Sequence, residues 1–133
     1  MIRPLLEVSG LHALRDATRG GFNAVLHEFA DAAGLSALID ESALPVRPGV
    51  RGLCELLGLD PLQLACEGRL LAAVSADAAD DLLARMRAHP LGEGAAIIGR
   101  LQPRRAAPVI LQGLYGIERS LPPVSGELLP RIC

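Results

Sequence analysis

Three groups of residues in this chain have the types and spacing for chemistry. The first is the ending Leu129-Pro130-Arg131-Ile132-Cys133, which leaves a thiol on the last residue. A thiolate is a strong nucleophile and acyl acceptor. The stretch 121–133 carries Pro122, Pro123, Gly126 and Pro130, too many breakers for a helix or a central strand. Fully extended it reaches roughly 40 Å, at about 3.3 Å per residue. Such an arm could carry a sulfur between sites, or it could be a frayed terminus that happens to end in Cys; the residues alone leave both open. The second group is Asp16-Ala17-Thr18-Arg19-Gly20-Gly21. Its glycines allow close backbone approach, and a following helix start presents free N–H groups to an anion. Arg19 adds a forked cation and Thr18 a hydroxyl. The same turn also serves simply to start a helix. The third group is Cys66-Glu67-Gly68, just before an apolar stretch. A carboxylate beside a buried strand can act as a base, and it can equally be a solvated loop residue. Gly92-x-Gly94 precedes a strand pattern instead of following one, so it reads as a turn and not as a dinucleotide fingerprint.

Composition removes several classes of function. The 133 residues suit one domain with a real core, half of them apolar, yet only Phe22, Phe29 and Tyr115 are aromatic. All 13 basic residues are arginine. Without lysine this chain offers neither a P-loop nor a Schiff-base amine. The net charge is −2 with acids and bases interspersed, so a nucleic-acid partner is not expected. No apolar run approaches the ~18 residues of a membrane span, and no basic segment followed by an apolar block suggests a signal peptide. The expected compartment is the cytoplasm. Cys54, Cys66 and Cys133 form no C-x-x-C pair, so no metal site is expected. Cys54 falls on an apolar helix stripe and reads as a buried, inert thiol. His12, His27 and His89 are scattered singly and read as structural, with His89 ending a helix where positive charge suits the dipole.

The pattern of elements is mixed α/β. Residues 3–8 suit a short helix and 11–15 a short strand. Phe22, Val25, Leu26, Phe29, Ala30 and Ala33 form one helical stripe after Gly20-Gly21, stopped by Gly34. Residues 35–39 read as a strand. Pro48 suits a first helical position, and Val50, Leu53, Cys54 and Leu57 give a second stripe, closed by Gly58. Asp60-Pro61 begins a turn. Residues 69–74 form an apolar strand. Ser75 suits an N-cap for a helix with Ala79, Leu82, Leu83 and Met86 inward, broken at His89-Pro90-Leu91-Gly92. Residues 95–101, 108–112 and 115–119 read as strands, with Gly113 in a hairpin link.

Taken together, the motifs resemble the C-terminal half of HypE-type hydrogenase maturation proteins. The resemblance rests on Asp16-Ala17-Thr18-Arg19-Gly20-Gly21, Asn23 to Glu28, Leu57-Gly58-Leu59-Asp60-Pro61, Glu67-Gly68, His89-Pro90-Leu91-Gly92, Ala95-Ala96-Ile97-Ile98-Gly99, and Gly126-Glu127-Leu128-Leu129-Pro130-Arg131-Ile132-Cys133. The Thr-Arg-Gly-Gly and Glu-Gly elements are shared with the wider superfamily of aminoimidazole ribonucleotide (AIR) synthetase and selenophosphate synthetase. The Pro-Arg-Ile-Cys ending is what points to the HypE type. The resemblance implies a three-layer α/β domain over residues 1–120, a mixed sheet of about four main strands flanked by helices, and a flexible substrate-carrying tail over 121–133. It implies an ATP-dependent S-carbamoyl dehydratase that makes the cyanide ligands of the nickel–iron hydrogenase centre. Cys133 would be the carbamoyl and cyano carrier, Glu67 the base, and Thr18, Arg19, Gly20 and Gly21 contacts to the ATP phosphates. The implied partners are a HypF-type carbamoyltransferase as donor and a HypC–HypD complex as cyanide acceptor. ATP and Mg2+ would be held mainly by an N-terminal domain this chain lacks. On that reading the chain is a piece of a longer protein, inactive by itself, and monomeric where the intact protein is a homodimer. Cys66 stands where the family commonly has Asn before Glu-Gly, which bears on the geometry at Glu67. Two other readings are a half of another phosphoryl-transfer synthetase of the selenophosphate type, and a non-catalytic docking module for a maturation partner.

Overall fold

A computed structural model describes residues 2–125. Cys133 and the rest of the Gly126–Cys133 motif lie outside the described residues. The elements in chain order are α1 (Ile2–Leu5), β1 (Leu11–Ala17), α2 (Gly21–Ala33), β2 (Leu35–Asp40), α3 (Pro48–Leu57), β3 (Cys66–Val74), α4 (Ala79–Arg87), β4 (Gly99–Pro103), β5 (Val109–Gln112) and β6 (Glu118–Ser120). Short 3-10 turns occupy Glu41–Ala43, Pro61–Gln63, Ala76–Ala78, Pro90–Gly92 and Leu114–Gly116. The expected mixed α/β architecture is borne out.

Two sheets form. One is a mixed four-stranded sheet in the order β4-β2-β5-β6, with β2 and β5 parallel and the outer pairs antiparallel. The other is an antiparallel ribbon of β1 and β3. Helix α2 is the hub between them. Its Val25, Leu26 and Ala30 join Ala37 and Ile39 of β2, Val109 and Leu111 of β5, Leu71 of β3, and Leu62 and Leu121 in one core. The opposite face of the ribbon, with Ala72 and Val74, packs on a second core of Leu5, Val8 and Leu82. This is the two-faced strand pattern expected when apolar residues alternate sides along β3.

The loops are pinned by particular bonds. Arg104 Nη1 donates to the carbonyls of Ala30 (3.4 Å) and Leu35 (2.9 Å) and to Asp31 Oδ1 (2.9 Å), closing the C-terminal end of α2. The fully buried Ser36 hydroxyl donates to the Ala107 carbonyl at 2.8 Å and accepts the Arg105 N–H at 2.9 Å.

Several expected boundaries move. The strand expected from residue 69 already begins at Cys66. The strand expected over 95–101 begins only at Gly99, because its partner β2 ends at Asp40 and the last rung is Asp40 N–H to the Ile98 carbonyl. The strand expected over 115–119 shrinks to 118–120, because Gly113 N–H bonds the Ile117 carbonyl and closes a tight loop in which Tyr115 has φ +61°. Ser75 does not cap α4 with its side chain; a 3-10 turn intervenes. His89 does not end α4, which stops at Arg87; it caps the following 3-10 turn, its Nδ1 accepting the Leu91 N–H at 3.1 Å. The second helical stripe does not face the core: in α3 only Cys54 is buried, while Val50, Leu53 and Leu57 are 42%, 57% and 58% exposed.

Candidate functional site

The turn from β1 into α2 is built by its glycines. Gly20 and Gly21 have φ +74° and +60°, the left-handed region that side chains disfavour. A Cβ on Gly21 would lie 2.5 Å from the Leu62 carbonyl oxygen and still closer to that of Leu64. The absence of a side chain therefore lets the helix start sit directly on the 61–64 segment. No side chain caps α2, and its first turn holds no acid. Gly21 N–H bonds the Thr18 carbonyl and Ala24 N–H bonds that of Gly20. The N–H groups of Phe22 and Asn23 find no backbone acceptor among the described residues. They are the orphan donors of a helix start, with the positive end of its dipole behind them. Arg19 is exposed beside them. Thr18 is not a free hydroxyl: its Oγ1 donates to Asp16 Oδ2 at 2.9 Å.

Glu67 is brought to this turn by strand pairing. Ala17 pairs with Cys66, whereas its neighbour Asp16 pairs with Leu70. Residues 67–69 thus loop out of the ladder in a bulge, where Gly68 takes φ +74°. Glu67 lies inside β3 and not before it, and it is exposed. Cys66, beside it, is partly buried, and Cys54 is buried as expected.

Residues 121–124, assigned to the tail by sequence, lie along α2. Leu121 is 1% exposed and donates its N–H to the Val109 carbonyl at 3.0 Å. His27 Nε2 meets the Leu121 carbonyl at 3.0 Å, and Asn23 Nδ2 donates to the Pro122 carbonyl at 2.9 Å. Val124 reaches Gly20, its Cγ2 being 3.5 Å from where a Gly20 Cβ would stand. Asn23 and His27 were not singled out as site residues by the sequence reading. Both lie on the polar interruption of the α2 stripe, four residues apart, which was the available signal.

The structure thus gathers the 16–21 turn, Glu67 and the start of the terminal segment at one end of α2. Among the described residues, no group of three or more His, Cys, Asp or Glu could hold a metal ion. No helix among them is long and apolar enough to cross a membrane.

This fold and this turn define a class. Residues 2–111 match the AIR synthase related protein, C-terminal domain, and the chain belongs to that family. Within it the similarity is to HypE. Carbamoyl dehydratase HypE of Escherichia coli (strain K12) is 53% identical over 133 residues, which is all of this chain and 39% of that protein. The crystal structure of E. coli HypE, a hydrogenase maturation protein, superposes with a TM-score of 0.92 at 55% identity, covering 99% of this chain and 41% of that one. A HypE–HypF complex matches with a TM-score of 0.88 at 35% identity, over 92% of this chain and 40% of the other. A HypE in complex with ATP matches with a TM-score of 0.87 at 40% identity, over 96% and 39%. The chain spans about two fifths of the length of the curated relatives it matches. The resemblance read from the motifs is borne out.

Proposed function

We propose that this domain is the substrate-carrying and base-supplying part of an ATP-dependent S-carbamoyl dehydratase. The single observation that carries the reading is convergence: the phosphate-compatible turn, Glu67 and residues 121–124 meet at one end of α2. The similarity to carbamoyl dehydratase HypE, and to HypE structures containing ATP or HypF, supports it. The carbamoyl donor is a HypF-type carbamoyltransferase and the cyanide acceptor a HypC–HypD complex. The site works in the cytoplasm, in a protein that dimerises through its nucleotide-binding part. ATP and Mg2+ belong mainly to the portion of HypE that this chain does not span.

The chemistry starts from Cys133 carrying –C(=O)NH2 on sulfur. An amide oxygen leaves poorly, so it first takes the γ-phosphoryl group of ATP, releasing ADP. One N–H proton is lost as the C=N bond forms. Removal of the second proton and cleavage of the C–O bond release inorganic phosphate and leave S–C≡N. Arg19, Gly20, Gly21 and the open N–H groups of Phe22 and Asn23 would hold transferring phosphate charge. The Thr18 hydroxyl is engaged with Asp16, so a phosphate contact by Thr18 would replace that hydrogen bond. Glu67 accepts the first amide proton, passes it to water and then accepts the second. An exposed carboxylate is a weak base in water. The portion of HypE beyond this chain must therefore cover Glu67 for the step to run.

The test is carbamoyl loading followed by mass spectrometry. Cys133→Ala abolishes the carbamoyl adduct while leaving the fold intact, and Glu67→Gln keeps loading but loses conversion to thiocyanate by about 100-fold or more, the usual worth of a general base. Normal loading of Cys133→Ala would move the chemistry to Cys54 or Cys66 and end this reading. Loss of HypF binding on truncating the last residues, with no chemistry on Cys133, would favour the docking-module reading.

A further inference from the structure

We propose that Asn23 and His27 are positioning residues that fix the root of the Cys133 tether at the N-terminal end of α2. The inference rests on the reading of Cys133 as carrier. The chain from Leu121 runs antiparallel along α2: the Leu121 carbonyl meets His27 Nε2, the Pro122 carbonyl meets Asn23 Nδ2, and Val124 meets Gly20. A carbonyl only accepts, so His27 carries its proton on Nε2 and donates it. Residues 23 and 27 are one helical turn apart and grip consecutive carbonyls from one face. Pro122 and Pro123 have no N–H of their own, so this stretch can be held only through its carbonyls.

Asn23 also shows a sacrifice. It is fully buried, and its Oδ1 has no hydrogen-bond partner among the described residues. An apolar residue at this position would avoid that loss. The amide is present where its donor holds the Pro122 carbonyl.

The consequence is a tether of defined length. From Ser125, eight residues lead to Cys133, a reach of at most about 28 Å. Glu67 lies at most about 20 Å from Gly20, counted along 17–20 and across the Ala17–Cys66 pair. The two lengths are of the same order, so the length of chain beyond this root matches the span to the turn and the base. Without the two grips the root slips back to Leu121, which its own N–H bond and burial still hold. The tether grows by half, and its effective concentration at the site falls about twofold by the −3/2 power of length. Loss of direction toward the turn adds to this.

The experiment uses the whole polypeptide that carries this domain, with a HypF-type donor and ATP. Carbamoyl loading of Cys133 and single-turnover conversion to thiocyanate are followed by mass spectrometry. The Asn23→Ala, His27→Ala double variant loads normally, converts about two- to fivefold more slowly, and keeps the KM for ATP, since the backbone N–H of residue 23 is untouched. Asn23→Ala alone, which frees the Pro122 carbonyl, slows conversion about twofold, and His27→Gln, whose amide still donates, converts at the wild-type rate. Deleting Gly126-Glu127-Leu128 in the double-variant background shortens the tether again and restores the rate. Unchanged conversion in the double variant, a His27→Gln as slow as the double variant, or no rescue by the deletion overturns the inference, since a merely structural role would ignore tail length. Should the double variant fail to fold, the Asn23→Ala arm decides. Wild type that takes no carbamoyl group on Cys133 overturns the carrier reading itself, and this inference with it.

Discussion

Helices α2 and α3 carry the same signature in sequence and meet different fates. Each has an apolar stripe at helical spacing and ends in a left-handed glycine, Gly34 at φ +66° and Gly58 at φ +67°. Helix α2 buries Val25, Leu26 and Ala30 between the four-stranded sheet and the β1–β3 ribbon. Helix α3 buries only Cys54 and leaves Leu53, Leu56 and Leu57 at 57%, 82% and 58% exposure. A stripe reports that a helix has an apolar face, and does not report whether the same chain covers it. Position in the topology decides. Residue 21 and residue 34 both lie close to strands that pair, so α2 is fixed at both ends, whereas α3 is flanked by the 41–47 connection and the 58–65 segment, with no strand at either end.

The largest test of that contrast is truncation on the two helices. Leu26→Ala, from a side chain 4% exposed, removes core packing and destabilises by about 3 kcal/mol, in the usual range for buried leucine. Leu56→Ala, at 82% exposure, stays within about 0.5 kcal/mol. Chemical denaturation measures both. Equal losses would mean that α3 is covered in solution as α2 is.

A smaller effect sharpens the comparison by changing only the caps. A Cβ at Gly34 or Gly58 meets nothing within 4 Å, so Ala at either site suffers only from its left-handed backbone. That costs about 1 kcal/mol. Gly34→Ala passes this on to global stability, because α2 unfolds only with the core. Gly58→Ala instead frays α3 locally, so global stability changes by less while amide exchange in 54–59 accelerates. Equal shifts in the global midpoint would show that α3 is as tightly coupled as α2.

The sequence reading succeeded where local chemistry dictates structure. The glycine pairs bounding α2, Pro48 and Gly58 around α3, and the apolar stretch of β3 all act through neighbours in sequence. It failed where a partner far along the chain decides. The length of β4 depends on where β2 stops, and the position of Glu67 within β3 depends on a bulge opposite Asp16. The turn 16–21 and Glu67 were both readable, but their meeting was set by the register Ala17 to Cys66. The grip of Asn23 and His27 on residues 121–122 spans more than 90 positions; the polar interruption of the α2 stripe marks the two residues but not the partner they hold.

The smallest predicted effect uses pH on the connection that leads into α3. Asp40 Oδ1 accepts the Ser42 N–H at 2.9 Å and the Ser42 hydroxyl at 2.6 Å. These hydrogen bonds favour the ionised carboxylate and hold Asp40 below its ordinary value near 4. A lowered folded pKa means the unfolded chain binds the proton more readily. The stabilisation is complete above the unfolded value and drains away as the pH falls through the folded one. The 41–43 turn, and the connection through Leu44 and Val46 that leads into α3, therefore loosen below about pH 4. Amide exchange corrected for its intrinsic pH dependence should quicken in α3 before it does in α2 between pH 5 and 3. Asp40→Asn keeps an oxygen acceptor for Ser42 but has no proton to bind, so its α3 exchange should lose the acid-dependent part. If Asp40→Asn left that part intact, the difference between the two helices in acid would have to come from their unequal burial alone.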